Sequence, residues 1–330
     1  MASSGRRACI TALGTYVPPR VVTNDDFAAM VDTSDEWIRQ MTGIRERHFV
    51  DDGTATSDLA AAAGKVALER AGVSASDVEM VLVATSTPDM FFPSTACLTQ
   101  DKLGARSAFA YDVSAGCSGF IYGLVIAHQF LAAGTIRTAL VIGAETLTRF
   151  ADMTDRNTCV LFGDGAGAAV VRACDPPKGL VAYYLGSDGK LGDLLKFPAG
   201  GARMPASHET VDARLHYIKM NGRQVYVNAV KAMSDSTLRV LEQAGLTGED
   251  VDLFFPHQAN IRIMEAVAER ARLPMEKVFV NIDRYGNTSA ASIPIAMDEA
   301  AAQGRLRDGM LIGMVAFGTG FTWGAALVRW

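Results

Sequence analysis

The chain carries one message twice, and that duplication narrows the folds open to it. Residues 69–79 (Glu-Arg-Ala-Gly-Val-Ser-Ala-Ser-Asp-Val-Glu) return at 242–252 as Glu-Gln-Ala-Gly-Leu-Thr-Gly-Glu-Asp-Val-Asp. Gly-Ala-Ala-Val-Val-Arg at 167–172 returns as Gly-Ala-Ala-Leu-Val-Arg at 324–329. Between these, Ala108-Phe109-Ala110 leading to Gly116-Cys117-Ser118 matches Val278-Phe279-Val280 leading to Gly286-Asn287-Thr288. The three matches are collinear. A long-period repeat of this kind implies two similar halves related by a pseudo-twofold axis, so equivalent positions can face each other across one cleft. Cys117 and Asn287 are then expected to meet.

The 330 residues suffice for two packed halves with a long core. The joint is expected at Cys174-Asp175-Pro176-Pro177-Lys178-Gly179, where two prolines and a glycine interrupt regular structure, giving halves of 1–175 and 176–330. A net charge of -5 argues against a nucleic-acid groove, which needs concentrated Lys and Arg. Five widely spaced cysteines, at 9, 97, 117, 159 and 174, form no CxxC pair. This reads against a metal cluster or disulfide framework and for a reducing cytoplasm. Arg6-Arg7 opens a first strand rather than a signal segment, because the apolar stretch stops at Gly14. Residues 310–328 carry no charge, but Gly313, Gly318, Gly320 and Gly324 divide them into two strands joined at Phe317-Gly318-Thr319-Gly320, so no membrane partner is expected.

Apolar periodicity alternates between helix and strand, which predicts a layered α/β architecture. Helices are expected at 57–70, 118–133, 223–244, 260–271 and 289–302. Strands are expected at 80–84, 109–113, 139–143, 251–255, 278–282, 310–316 and 322–329. Gly119 and Gly123 should let the helix at 118–133 pack closely. The Gly- and Pro-rich stretch 186–216 reads as a long loop roofing a site.

Cys117 stands at a strand-to-helix junction, where unpaired amides and the helix dipole favour thiolate over thiol. The cysteines at 9, 97, 159 and 174 lack that setting and read as buried structural residues. His257 follows the strand Leu253-Phe254-Phe255, at the carboxyl edge where open α/β sheets bind ligands. The histidines at 48, 128, 208 and 216 read as surface or packing residues. Asn287 alone would pass for a turn former; its match to Cys117 makes it a candidate site residue.

With Asp112-Val113-Ser114-Ala115-Gly116-Cys117-Ser118-Gly119-Phe120, His257-Gln258-Ala259-Asn260, Gly286-Asn287-Thr288-Ser289-Ala290 and Phe321-Thr322-Trp323-Gly324, the chain resembles the β-ketoacyl-acyl-carrier-protein synthase III family. The resemblance runs through Asp32-Thr33-Ser34-Asp35-Glu36-Trp37-Ile38 and Thr42-Gly43-Ile44-Arg45-Glu46-Arg47 as well. It implies a thiolase fold, a duplicated five-layer αβαβα arrangement, and a triad of Cys117, His257 and Asn287. It implies a decarboxylative condensation of a short acyl-CoA with malonyl-acyl carrier protein through an acyl-cysteine, with no metal or other cofactor and as a homodimer. The backbone amides of Cys117 and Thr319 would form the oxyanion hole. Trp37 and Arg156 would hold the CoA adenine, Asn260 would contact substrate, Phe162 would line the acyl pocket, and Phe92 would reach a partner subunit's pocket. Arg262 and Arg270 would meet the carrier protein.

Three positions depart from the family pattern. Met41 replaces a common arginine, leaving Arg39 as the substitute. Thr319 replaces the middle glycine of a Gly-Gly-Gly turn, and Glu265 and Glu269 dilute the basic helix after Asn260. Rival condensing chemistries fit less well. No cysteine follows Cys174 for a degradative thiolase, Asn287 stands where elongating enzymes carry a second histidine, and Thr85-Ser86-Thr87-Pro88 offers no carboxylate base. A papain-like hydrolase leaves the duplication unexplained. A synthase III relative of secondary metabolism and a non-catalytic scaffold remain as alternatives.

Overall fold

A computed structural model describes residues 5–330. The first half contributes β1 (Arg7–Tyr16), α1 (Thr56–Ala71), β2 (Met80–Ala84), α2 (Thr95–Leu103), β3 (Phe109–Val113), α3 (Gly119–Ala132), β4 (Thr138–Glu145) and β5 (Gly165–Cys174). The second contributes β6 (Gly179–Ser187), α4 (Gly222–Ala244), β7 (Leu253–Pro256), α5 (Ile261–Arg270), α6 (Ser292–Ala302), β8 (Leu311–Gly318) and β9 (Thr322–Arg329). One sheet runs β1-β5-β4-β2-β3, and the other runs β6-β9-β8-β7 in the same sense. Matching the two orders pairs β1 with β6, β5 with β9, β4 with β8 and β2 with β7, and the β5–β9 and β2–β7 matches agree with the sequence repeats.

The repeated Ala-Gly is a helix stop in both halves. Gly72 ends α1 and Gly245 ends α4, each in the left-handed region that glycine adopts without strain.

Burial sorts the elements into five layers. α3 and α6 lie between the sheets, where Phe120, Ile121 and Leu124 meet Ile293, Ala296 and Met297 together with Leu82, Val141, Phe255 and Met314. α1 covers the outer face of the first sheet, and α4 with α5 covers the outer face of the second. Glycine permits the tight inner layer, as expected for Gly119 and Gly123. A Cβ would stand 2.8 Å from Ala84 Cβ at Gly119 and 2.7 Å from Leu82 Cδ2 at Gly123. At Gly143 it would stand 2.2 Å from the Ala290 carbonyl oxygen, so β4 touches the chain entering α6 directly.

Three expectations need correction. Residues 278–282 do not form a strand. Val278 makes one parallel bridge to Phe254, and the buried Gln258 amide then takes over the backbone groups that a ladder would pair. Its nitrogen donates to Phe279 O at 3.0 Å, and its oxygen accepts from the amides of Asn281 at 3.0 Å and Ile282 at 3.2 Å. Second, Cys9 and Cys174 are disulfide-bonded. Antiparallel pairing of β1 with β5 places Arg7 opposite Cys174 and Cys9 opposite Arg172, so the two cysteines lie diagonally across one ladder, 165 residues apart in sequence. Third, Cys97 is exposed on the outer helix α2 rather than buried. The stretch 186–216 is mostly irregular, with β6 reaching Ser187 and short helical turns at Gly189–Leu194 and His208–Asp212.

Candidate active site

Cys117 sits in a one-turn helix, Gly116–Ser118, that leads straight into α3. The turn depends on Gly116, whose φ is +51°, and it is packed backbone against backbone on the turn joining β8 to β9. A Cβ on Gly116 would lie 2.5 Å from the Thr319 amide nitrogen, and one on Gly318 would lie 2.4 Å from the Cys117 amide nitrogen. The Thr322 hydroxyl donates to Ala115 O at 2.6 Å and the Ser118 hydroxyl to Thr322 O at 3.2 Å, so two side chains staple the turns together. Thr319 itself is not among the residues at positive φ, whereas Gly320 has φ +138°. The Thr319 departure therefore keeps its amide in place; the turn needs glycine on either side of it.

His257 follows β7 and is 2 % exposed. Its Nδ1 lies 2.7 Å from Ser292 Oγ, which also accepts from the Gln258 amide at 3.4 Å. With Nδ1 engaged by Ser292, Nε2 is the ring nitrogen left for a substrate, and it is a donor in the tautomer in which the serine hydroxyl donates to Nδ1. Burial pushes the imidazole pKa down to about 3, so the ring stays neutral near pH 7.

Asn287 is held by a parallel strand-like bridge to Phe162, made through the residues on either side of Phe162. Its amide donates to Leu161 O at 2.9 Å, and its carbonyl accepts from Gly163 at 3.1 Å. The Ser289 amide donates to Asn287 Oδ1 at 2.8 Å. With the oxygen so engaged, the Asn287 side chain has its two N–H donors left to offer.

Cys117, His257 and Asn287 all line one chamber of about 1470 Å³, together with Phe162, Thr319, Trp37, Met41, Asn260 and Arg262. The expected roof is real: Leu195, Phe197 and Ala199 from 186–216 form part of its wall. Arg214 and Lys219 both pair with the buried Asp152 carboxylate and tie that roof down, and the Arg214 bond holds the carboxyl well below the usual carboxylate range.

The other expected residues divide. Arg156 stacks over Trp37 at 4.8 Å and donates to Asp32 O at 2.7 Å. Asn260 lines the chamber, but its side chain already caps α5, accepting from Arg262 N at 2.9 Å and donating to Met41 O at 2.8 Å. Arg39, the expected substitute for the arginine missing at Met41, pairs with Asp35 at 3.2 Å in a solvent-exposed ion pair one turn away on the same helix. Phe92 is 85 % exposed and follows Met90 and Phe91, which line the chamber mouth. Arg262 stands at that mouth, and Arg270 ends α5. His128 accepts from the Ala8 amide at 3.2 Å, a packing role as expected.

Two features went unread in the sequence. The Cys117 thiol stands above its ordinary range: burial is the main cause that pushes it up to about 12, and the charge of Glu145 adds to this. Glu145, the last residue of β4, is fully buried behind the loop that was read as offering no carboxylate. It accepts from the Thr87 hydroxyl at 2.7 Å, the Ser86 amide at 3.0 Å and the Thr85 hydroxyl at 3.2 Å. The signal was a lone acid ending the uncharged run Ala139 to Ala144.

Two family descriptions match the chain: 3-oxoacyl-[acyl-carrier-protein (ACP)] synthase III over residues 111–189 and its C-terminal part over residues 241–330. A β-ketoacyl-[acyl-carrier-protein] synthase III of Caldanaerobacter subterraneus is 55 % identical over 323 residues, covering 98 % of each chain. Among solved structures, 3-oxoacyl-[acyl-carrier-protein] synthase III from Aquifex aeolicus is 46 % identical with a TM-score of 0.91, covering 98 % of this chain and all of that one. The priming β-ketosynthase of the R1128 polyketide pathway is 32 % identical with a TM-score of 0.92, covering 100 % of this chain and 98 % of that one.

Proposed function

This chain belongs to the β-ketoacyl-acyl-carrier-protein synthase III family, acyltransferases that condense thioesters in fatty acid synthesis, and from that premise we propose which of its residues do the work. Cys117 is the nucleophile. Its sulfur attacks the carbonyl of a short acyl-CoA, the C–S bond to CoA breaks, and an acyl-enzyme remains. The amides of Cys117 and Thr319, set side by side by the glycine packing, receive the oxyanion.

Malonyl-acyl carrier protein then enters the same chamber. Its carboxylate leaves as carbon dioxide, and the electron pair moves into the thioester as an enolate. Two neutral donors, His257 Nε2–H and the Asn287 amide, are suited to that enolate oxygen, and each such donor is worth on the order of 2.7–4 kcal/mol. No base is needed to make the carbanion, because decarboxylation makes it. The carbanion attacks the acyl group, and collapse of the tetrahedral centre expels the Cys117 sulfur.

The observation that carries this reading is the convergence of one thiol and two neutral donors, drawn from both halves, on one chamber. Residues 1–175 supply the nucleophile and 176–330 the donors. Trp37, which lines the chamber, and Arg156, which stacks on it here, are the proposed adenine contacts, the two parting to admit the ring. Arg262 and Arg270 on α5 are the proposed carrier-protein contacts. The protruding Met90, Phe91 and Phe92 support a homodimer, in which a second copy would cover them. A cytoplasmic setting is proposed from the family's role in fatty acid synthesis and not from cysteine usage, since Cys9 and Cys174 are disulfide-bonded; among the described residues no helix is long and apolar enough to cross a membrane. Greater identity to fatty acid synthases III than to the polyketide priming enzyme favours primary over secondary metabolism.

The test is direct: with acetyl-CoA and malonyl-acyl carrier protein, the chain should release carbon dioxide, form the β-ketoacyl product and carry a transient acetyl mass on the peptide containing Cys117. Absence of that adduct during turnover would overturn the assignment.

A further inference from the structure

Asn287 must aim its carboxamide at a substrate oxygen, yet the bridge that holds it lies outside both sheets. Resting on the reading of Asn287 as a donor to the enolate, we propose that Arg47 is a positioning residue for this reaction. Its stem and guanidinium hold the paired segments 160–163 and 286–287 on which that carboxamide stands.

Arg47 is fully buried, and its partners are neutral. Nη1 donates to Asn24 Oδ1 at 2.7 Å and to Val22 O at 3.4 Å, Nη2 donates to Val160 O, and Nε bonds nothing. Burial lowers the guanidinium to about 10, so it stays charged at neutral pH. A charge without a counter-ion and an orphaned N–H are costs that an apolar side chain would not carry, although the Phe27 ring, 4.6 Å away, offsets part of them. What the guanidinium holds together accounts for its presence.

Arg47 belongs to the short strand Glu46–Phe49, which is bonded to both sides of the bridge. The Arg45 amide donates to Asp283 O at 2.9 Å, and the Asp164 amide donates to His48 O at 2.8 Å. Between these two bonds the Arg47 stem packs under both segments. A Cβ built on Gly163 or on Gly286 would stand 3.2 Å from Arg47 Cβ in each case. The glycines also bring the segments against each other, since the Gly163 Cβ would lie 2.3 Å from Tyr285 O and the Gly286 Cβ 3.0 Å from Leu161 O. Val160 O, which the guanidinium takes, is one residue before Leu161 O, the acceptor of the Asn287 amide. The far end of the fork is anchored as well: Asn24 Nδ2 donates to Ile44 O and to Asp35 Oδ1, both at 2.8 Å. The turn carrying Cys117 is set by other contacts, those with Gly318 and Thr319. Loss of the guanidinium should therefore shift Asn287 and spare the nucleophile.

The experiment is a double-mutant cycle on the full chain, read at a temperature where every variant is folded. It uses the parent, Arg47→Met, Asn287→Ala and the double variant. Carbon dioxide release from malonyl-acyl carrier protein and acylation by acetyl-CoA are timed separately. Arg47→Met should slow carbon dioxide release at least tenfold and leave acylation within threefold of the parent. In the Asn287→Ala background the same change should cost less than twofold more, because the group it positions is gone. Asn24→Ala frees one end of the guanidinium and should slow carbon dioxide release in the same selective way, so it takes the place of Arg47→Met in the cycle if that variant does not fold. A folded variant that slows both half-reactions alike, slows neither, or adds its full loss to that of Asn287→Ala would overturn the positioning role. Parental carbon dioxide release by Asn287→Ala alone would instead overturn the reading of Asn287 as donor.

Discussion

Gly318→Ala tests the oxyanion site at the point of greatest mechanical constraint. The new Cβ would lie 2.4 Å from the Cys117 amide nitrogen, 2.9 Å from the Gly116 carbonyl carbon and 3.0 Å from Ala115 O. All three are backbone atoms, so no flexible side-chain tip can yield. Restoring ordinary contact requires the two turns to separate by about 1 Å, a displacement of the size that costs roughly 10²-fold when it misplaces reacting groups. The Thr319 and Cys117 amides would no longer converge on one oxygen, and losing one such donor costs about 2.7–4 kcal/mol, or roughly 10²–10³-fold. The two estimates agree. Acylation by acetyl-CoA, timed by rapid quench and mass spectrometry, should therefore slow by about 10²-fold or more in protein that still melts cooperatively. An acylation rate within fivefold of the parent would refute the claim that these packed amides hold the oxyanion.

Other outcomes follow from the same geometry. Ser292→Ala removes the partner of His257 Nδ1 and should slow malonyl decarboxylation about tenfold while sparing acylation, in line with the roughly 1–3 kcal/mol cost of an orphaned buried group; equal slowing of both steps would contradict it. Because burial lowers the His257 pKa to about 3, the ring stays neutral as pH falls from 8 to 5, and a decarboxylation profile measured in His257→Gln should show the same limbs as the parent over that range. A limb near pH 6.5 that disappears in the variant would show that His257 titrates there. Arg47→Leu should lower the urea midpoint, because Arg47 is fully buried and donates to Asn24 Oδ1 at 2.7 Å and to Val160 O. Orphaning those acceptors costs about 1–3 kcal/mol each; an unchanged midpoint would mean that water replaces the guanidinium.

The duplication made the fold legible because a repeat fixes topology without any knowledge of side-chain contacts. The Ala-Gly stops at Gly72 and Gly245 and the collinear Cys117 and Asn287 are local signals that survive in one dimension. His257 was legible for a related reason, since a strand's carboxyl edge can be read from the apolar run before it. What escaped depends on register or burial. Cys9 meets Cys174 only through the β1–β5 pairing, which no spacing in the sequence encodes. Val278 to Ile282 has strand composition, but the Gln258 side chain claims its backbone groups. The thiol was expected to be acidified by a helix terminus, yet burial pushes it up. Glu145 looked like the end of a strand because its burial and its bonds depend on what the 85–87 loop brings to it from elsewhere in the chain.

The division of labour among the three chamber residues is best measured as two separate half-reactions: acyl transfer from acetyl-CoA to the protein, and carbon dioxide release from malonyl-acyl carrier protein. Cys117→Ala should take up no acyl group yet still release carbon dioxide, whereas His257→Ala and Asn287→Ala should become acylated while release falls by roughly 10² or more. Folded variants that lose both half-reactions to the same degree, whichever residue is changed, would contradict the account.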